Sequence, residues 1–298
     1  MRLLVIGSTG QLGSDFMRFA DELDYQAEGI EYPDIDLADP ASIERALADR
    51  TFDVVVNTAA YHAQDAYKDE TTDRYYAINV FGPFHLARVA AQKNAVVATY
   101  SSDYVFSGND EPSGEGFTET DLPIPANLYS ASKLAGENLL RVKSPGSFIF
   151  RVASLYGHEG CKAKNRSNFV EMVISKLSAG EPMKIVNDIR MSPTSTESVV
   201  RASARVFKKG DPGLYHMAGA GSCTWYEFAQ AAAEMMNLPL DLLTPSNSTE
   251  VVQEIKRGNN TALVNARLKS SGIGDLDHWR KHLQTYITGR PTPHSGQE

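Results

Sequence analysis

Residues 2–6, Arg-Leu-Leu-Val-Ile, run directly into Gly7-Ser8-Thr9-Gly10-Gln11-Leu12-Gly13. The apolar run is long enough only for a buried strand. Beyond the glycines, Phe16, Phe19, Ala20 and Leu23 recur at helical spacing. Strand, glycine turn and helix in that order make a dinucleotide cradle. Gly7 allows the tight turn, Gly10 lets the backbone approach a pyrophosphate, and Gly13 lets the helix pack on the strand. The free N–H groups at the helix N-terminus then face the phosphates. A glycine-rich turn without a ligand is the plainer reading, but the strand and helix that a cradle requires are both present.

The same alternation continues. A second strand is predicted over Gln26–Ile30, with Glu31 at its end, where such a fold places a ribose-binding acid; this leans towards NADH. Asp36-Leu37-Ala38-Asp39-Pro40 reads as a loop entering a helix. Asp36 either meets the adenine end of a cofactor or caps that helix. Residues 52–56 form a third strand, ending at Asn57-Thr58-Ala59-Ala60-Tyr61, whose small residues admit a ligand. His62 reads as a solvated loop residue. Residues 75–91 read as one long helix, with Asn79 among apolar neighbours. An interior amide needs partners, so Asn79 is expected to hold a water or a backbone carbonyl beside the site. A fourth strand over 95–101 delivers Ser101-Ser102-Asp103-Tyr104 to the same edge. The Ser102 hydroxyl can donate to a carbonyl without ionising.

A loop rich in Gly, Pro, Asp and Glu spans 107–127, and a helix over 128–142 carries Tyr129 and Lys133. Four apart, these two share a helix face. Free tyrosine titrates near ~10; an ammonium held close favours the phenolate and is expected to lower that value. The pair then moves a proton to or from a substrate oxygen. With a fifth strand over 147–152, the pattern predicts an α/β fold, a Rossmann-type doubly wound parallel sheet.

From residue 157 the character changes, and a smaller C-terminal α/β lobe for substrate is expected over 157–287, beside a dinucleotide-binding domain over 1–156 to which some later segments return. That stretch reads as helix from 169 to 179, strand at 183–186, loop at 188–194, helix at 197–208, strand at 213–217, helix at 225–236 and helix at 277–287. Residues 288–298 read as a frayed tail. With 298 residues and a formal charge of −8, the chain has material for a large core and lacks the basic footprint of a nucleic-acid binder. No apolar run reaches the ~20 residues of a membrane span, and residues 1–7 are too short for a signal peptide. Cys161 and Cys223 stand apart without a metal-ligand pattern, so free thiols in the cytoplasm are expected, and no acidic cluster is distinct enough to assign a metal.

Gly7, Gly10 and Gly13, the serine after strand four and Tyr129…Lys133 together resemble the extended short-chain dehydrogenase/reductases. Asn57–Tyr61, Ala77-Ile78-Asn79, 100–106, 129–137, Asp188…Pro193-Thr194, 213–217 and 225–229 are similar to the dTDP-4-dehydrorhamnose reductase group, over almost the whole chain. The resemblance implies NADH or NADPH as cofactor and a catalytic triad of Ser102, Tyr129 and Lys133, with serine where the group has threonine. It implies a cofactor site of Gly7, Thr9, Gly10, Gln11, Leu12, Gly13, Glu31, Asp36, Leu37, Ala59, Ala60, Tyr61 and Asn79 together with Tyr129 and Lys133. On the substrate side it implies Asp103, Tyr104, Ser154, Asn168 and Arg257. A nucleotide-linked 4-keto-6-deoxy sugar reduced at C4 is the implied substrate, and a homodimer is compatible with the group; Lys164, Arg166 and Arg257 are candidates for its pyrophosphate.

Departures from the group gather opposite the cofactor: His62 and Gln64 for Thr and Val, Ser154 for Trp, Met191 for Gly, and Arg257-Gly-Asn-Asn-Thr-Ala-Leu263 for Arg-Pro-x-x-Ser-Arg-Leu. A dehydratase on this scaffold needs Asp-Glu after the triad hydroxyl, and Asp103-Tyr104 does not supply it. An epimerase, or a dinucleotide-binding regulatory subunit without turnover, are the competing readings.

Overall fold

The structure, a computed structural model, describes the chain except residues 63–68, 110–111, 113–114, 161–167, 251–257 and 291–298. Its first half alternates β1 (Arg2–Ile6), α1 (Gly13–Arg18), β2 (Gln26–Ile30), α2 (Pro40–Leu47), β3 (Val54–Asn57), α3 (Asp69–Tyr76), α4 (Gly82–Gln92), β4 (Val96–Ser102), α5 (Leu128–Lys143) and β5 (Phe148–Val152). There follow β6 (Leu155–Tyr156), α6 (Phe169–Ser178), β7 (Met183–Val186), β8 (Arg190–Met191), β9 (Thr194–Ser195), α7 (Thr196–Lys209), β10 (Gly213–Met217), β11 (Cys223–Thr224), α8 (Trp225–Met235), β12 (Leu243–Ser246), α9 (Ala266–Ser270) and α10 (Trp279–Thr288).

Six parallel strands form the main sheet in the order β10-β5-β4-β3-β1-β2. A parallel sheet is covered on both faces, so its strands read as unbroken apolar runs. Within β1, Leu3 and Val5 pack with Phe16 of α1 and Val199 of α7. Leu4 and Ile6 pack on the opposite face with Ile43, Leu47, Leu86 and Leu140. The chain winds outward from β1 to β2, then crosses back to β3. That reversal opens a crevice at the carboxyl ends of β1 and β3, where such sheets bind ligands.

Three expectations are revised. The helix expected over 75–91 starts earlier and contains a π-helical turn at Ala77–Phe81. Pro83 has no N–H to give the carbonyl of Asn79, and α5 approaches so closely that a side chain at Gly136 would meet that carbonyl at 2.3 Å. The loop expected at 188–194 contains β8, paired with β11, and leads into β9, paired with β6. The strand at 213–217 completes the main sheet beside β5 rather than serving the smaller lobe alone. That lobe has its own core of Tyr156, Val173, Met191, Phe228, Trp279 and Leu283. The tail residues 291–298 lie outside the described residues. Among the described residues no helix is long and apolar enough to cross a membrane.

Candidate active site

At the carboxyl end of β1, Gly7 has φ +80°, a left-handed conformation that favours glycine. A side chain there would strike Thr58 Oγ1 at 2.9 Å, and Thr58 Oγ1 itself donates to the Ile6 carbonyl at 2.8 Å. A methyl at Gly13 would lie 2.1 Å from the Gly7 carbonyl. Only glycines let loop and helix close to this distance, so the cradle fits a dinucleotide pyrophosphate at the start of α1. Leu12 is core. The Gln11 side chain donates to the Leu155 carbonyl at 3.0 Å, tying the loop to β6. Glu31 accepts from the Thr9 amide and from Ser8 Oγ, so its carboxylate is folded against the glycine loop. Asp36 accepts from the Ala38 amide at 2.9 Å as a local turn, and Leu37 is buried against Gly82.

Ala59, Ala60 and Tyr61 line the end of β3. Asn79 clamps Tyr61 from both sides: its Oδ1 accepts from the Tyr61 amide at 2.8 Å and its Nδ2 donates to the Tyr61 carbonyl at 3.0 Å. The same Nδ2 donates to Ser132 Oγ at 3.0 Å, and Ser132 Oγ donates to the Tyr129 carbonyl at 2.7 Å. The π turn thus joins the loop ending at Tyr61 to the helix that carries Tyr129.

That helix begins with a capping box, in which Asn127 Oδ1 accepts from the Ser130 amide and Ser130 Oγ accepts from the Asn127 amide. Such caps fix the first turn, and Tyr129 stands in it. The Tyr129 ring is half-buried among three others: His62 at 4.7 Å, Tyr104 at 6.3 Å and Tyr75 at 6.4 Å, all edge-on. His62 is therefore a wall of the site rather than a solvated loop residue. The sequence signal was its place one residue past the clamped Tyr61.

Burial pushes the Tyr129 phenol well above its ordinary value, the Asp103 charge adds to this, and the Ser102 hydroxyl opposes it. The expected lowering by Lys133 does not prevail, because the ring is withdrawn from water beside a carboxylate. Burial likewise lowers Lys133, to about 8, with Glu137 acting against the drop. Ser102 ends β4. Its Oγ accepts from the Tyr104 amide at 3.2 Å and donates to Asp103 Oδ1 at 3.0 Å. Asp103 is 2% exposed, its other oxygen accepts from Thr261 Oγ1 at 2.7 Å, and burial raises it to about 6. Thr261 was not legible, since nothing local marks a residue that returns from 158 positions away.

On the substrate side, Ser154 takes φ +41°, a strained value for a serine, at the end of β5. Asn168, expected near substrate, instead caps α6: Oδ1 accepts from the Glu171 amide at 3.0 Å, and Nδ2 donates to the Gly157 carbonyl and to Tyr286 Oη. Met191 is buried in the lobe core. Gly258 takes φ +74° against Ser107, a conformation closed to proline. Arg257, Lys164, Arg166 and Gln64 lie outside the described residues.

Similarity to known proteins agrees with this geometry. The family described as the RmlD substrate binding domain matches residues 1–290. The spore coat polysaccharide biosynthesis protein SpsK of Bacillus subtilis (strain 168) is 31% identical over 289 residues, 97% of this chain and 98% of the relative. A dTDP-4-dehydrorhamnose reductase of Mycobacterium tuberculosis (strain ATCC 25618 / H37Rv) is 31% identical over 292 residues, 96% of this chain and 92% of that one. The solved dTDP-4-dehydrorhamnose reductase of Bacillus anthracis, in complex with NADP, superposes with a TM-score of 0.88 at 25% identity, covering 97% of this chain and 99% of that one. The chain belongs to the RmlD substrate binding domain family.

Proposed function

We propose that this chain reduces the C4 ketone of a nucleotide-linked 4-keto-6-deoxy sugar with NADH or NADPH, as a dTDP-4-dehydrorhamnose reductase or a close relative. The observation that carries the reading is Tyr129, Lys133 and Ser102 gathered at the sheet edge beside the glycine cradle. The relatives' names and the NADP held by the Bacillus anthracis enzyme support it.

When bound, the nicotinamide supplies the hydride. The protein's share is position and proton. Tyr129, kept protonated at neutral pH by its burial, gives its phenolic proton to the substrate oxygen as the ketone becomes an alcohol. Ser102 turns its hydroxyl from Asp103 to the substrate carbonyl and polarises it. Lys133 holds an ammonium beside the cofactor ribose. Residues 1–156, joined by α7 and β10, form the cofactor half, and 157–287 mainly the substrate half. A cytoplasmic homodimer is the proposed setting. Asp103-Tyr104 in place of Asp-Glu favours reduction over dehydration.

Stoichiometric oxidation of NADH or NADPH in the presence of dTDP-4-dehydrorhamnose, with a rhamnosyl nucleotide as product, is the expected result. A product formed without net cofactor consumption points to an epimerase instead. Absence of turnover over a panel of 4-keto sugars removes the reading.

A further inference from the structure

Ser102 does not stand alone at the end of β4. A serine hydroxyl rotates to suit its neighbours, with one proton to give and lone pairs to receive. Here it is engaged on both counts. The Tyr104 amide donates to Oγ at 3.2 Å, and Oγ donates to Asp103 Oδ1 at 3.0 Å. The Asp103 carboxylate is fixed in turn, since its Oδ2 accepts from Thr261 Oγ1 at 2.7 Å. Asp103, which the resemblance places on the substrate side, is 2% exposed, as is Thr261.

A carboxylate withdrawn from water must find donors. Those around Asp103 are hydroxyls and backbone amides rather than a cation. Thr261 is carried to it by β8, whose Met191 sits in the core of the smaller lobe. The Thr261 amide donates to the Arg190 carbonyl at 3.1 Å, and the Arg190 amide donates to the Asn259 carbonyl at 2.8 Å. Just beyond, the Leu263 amide donates to Ser192 Oγ at 3.2 Å, and the Phe117 amide donates to the Ala262 carbonyl at 2.8 Å. Residues 259–263 are thus stitched to β8 on one side and to the loop at Phe117 on the other. A continuous line of hydrogen bonds runs from β8 through Thr261 and Asp103 to Ser102.

We propose that Asp103 and Thr261 are positioning residues for Ser102, and that through them the smaller lobe sets where the Ser102 proton points. The proposal rests on the carbonyl-polarising role given to Ser102 above. Neither residue makes or breaks a covalent bond, and the proton that reaches the alkoxide is that of Tyr129. Asp103 holds the Ser102 hydroxyl in place until a substrate carbonyl arrives. Thr261 takes up part of the carboxylate's hydrogen-bonding capacity, which weakens its grip on Ser102 enough for a neutral ketone oxygen to compete. Without Thr261, Asp103 either grips the serine proton more tightly or swings out of line. In both cases the hydroxyl is no longer poised for the ketone.

The test is a double-variant cycle that crosses Thr261→Val with Ser102→Ala and reads kcat/KM for dTDP-4-dehydrorhamnose at saturating NADH or NADPH. Slow variants are followed in single turnovers at high enzyme concentration, and Thr261→Ala stands in for a valine variant that does not fold. Thr261→Val alone is expected to lower kcat/KM by roughly 5- to 100-fold, and Thr261→Ser to restore it. In the Ser102→Ala background the same change is expected to alter the residual rate by less than about twofold, because the group it acts through is gone. Equal losses in both backgrounds overturn the proposal and leave Thr261 a residue of the local fold. A second measurement needs no turnover. With carbon-13 in the aspartate carboxyls, Asp103 is assigned by its loss in Asp103→Asn. It is expected to titrate at about 6 in the wild type and higher in Thr261→Val and in Ser102→Ala, each of which removes a donor to the carboxylate. A midpoint that neither substitution moves also overturns the proposal. A folded wild type that reduces no 4-keto sugar overturns the functional reading and the positioning role with it, while the titration still reports whether the line of bonds exists.

Discussion

The two walls of the cleft are held in different ways. On the wall expected to hold the cofactor, glycines that tolerate no side chain and a local cap set the closest approaches, with Gly7 against Thr58, Gly13 against Gly7 and the capping box below Tyr129, and longer reaches such as Gln11 to Leu155 tie them in. On the substrate wall, the key contacts arrive from far along the chain. Asp103 is anchored by Thr261, Ser154 is held at a positive φ, and Gly258 packs its backbone on Ser107. In the proposed function, the first wall places a cofactor and a proton donor. The second carries contacts that return from far along the chain, such as Thr261 to Asp103. Under the proposed function, chemistry and selectivity sit on parts of the molecule with different sequence constraints.

That contrast breaks if the walls fail independently of their assigned tasks. The largest effect is expected from Tyr129→Phe, which removes the proton donor without disturbing the cap. Its kcat should fall by roughly 10²–10⁴-fold, with dinucleotide affinity nearly unchanged in a fluorescence titration. Full turnover by this variant would end the assignment of chemistry to α5.

Next comes Gly13→Ala, whose new methyl meets the Gly7 carbonyl. A cost of about 1–3 kcal/mol is expected from such overpacking, seen as a lower melting temperature together with weakened dinucleotide binding. Native cofactor affinity in this variant would show that the cradle is looser than its geometry implies.

The smallest of the three is Thr261→Val, which deprives Asp103 of a 2.7 Å donor. About 1–3 kcal/mol is at stake when a buried polar group loses its partner. The loss should appear in kcat/KM for the sugar and not in dinucleotide affinity, and Thr261→Ser should restore it. A shift in cofactor affinity instead would mean that the two walls are coupled through Asp103.

The same division explains what could be read before the fold was known. The glycine turn, the strands up to residue 152 and the Tyr129–Lys133 spacing are local patterns, and the structure places them as those patterns predict. The role of Asn79 was legible because an amide among apolar residues must find partners, and it finds the Tyr61 backbone. The π turn around it was not, since it depends on α5 pressing in at Gly136 as well as on Pro83. The direction of the Tyr129 shift was misread for a related reason. Sequence shows the nearby lysine, whereas burial and the Asp103 charge are properties of the assembled fold. His62 looked solvated because a polar loop gives no hint of the rings it will meet.

The placement of β10 bears on how the chain is made. β5 gains its outer neighbour only when residues 213–217 return to pair with it. Until the ribosome has released that segment, one long edge of the nascent sheet, with Phe148 and Phe150 on it, has no partner. Unpaired apolar edges invite association with other chains. Between the emergence of β5 and that of β10, this edge of the sheet is open to other strands. It closes when His216 and its neighbours in β10 pair with Arg151 and the rest of β5.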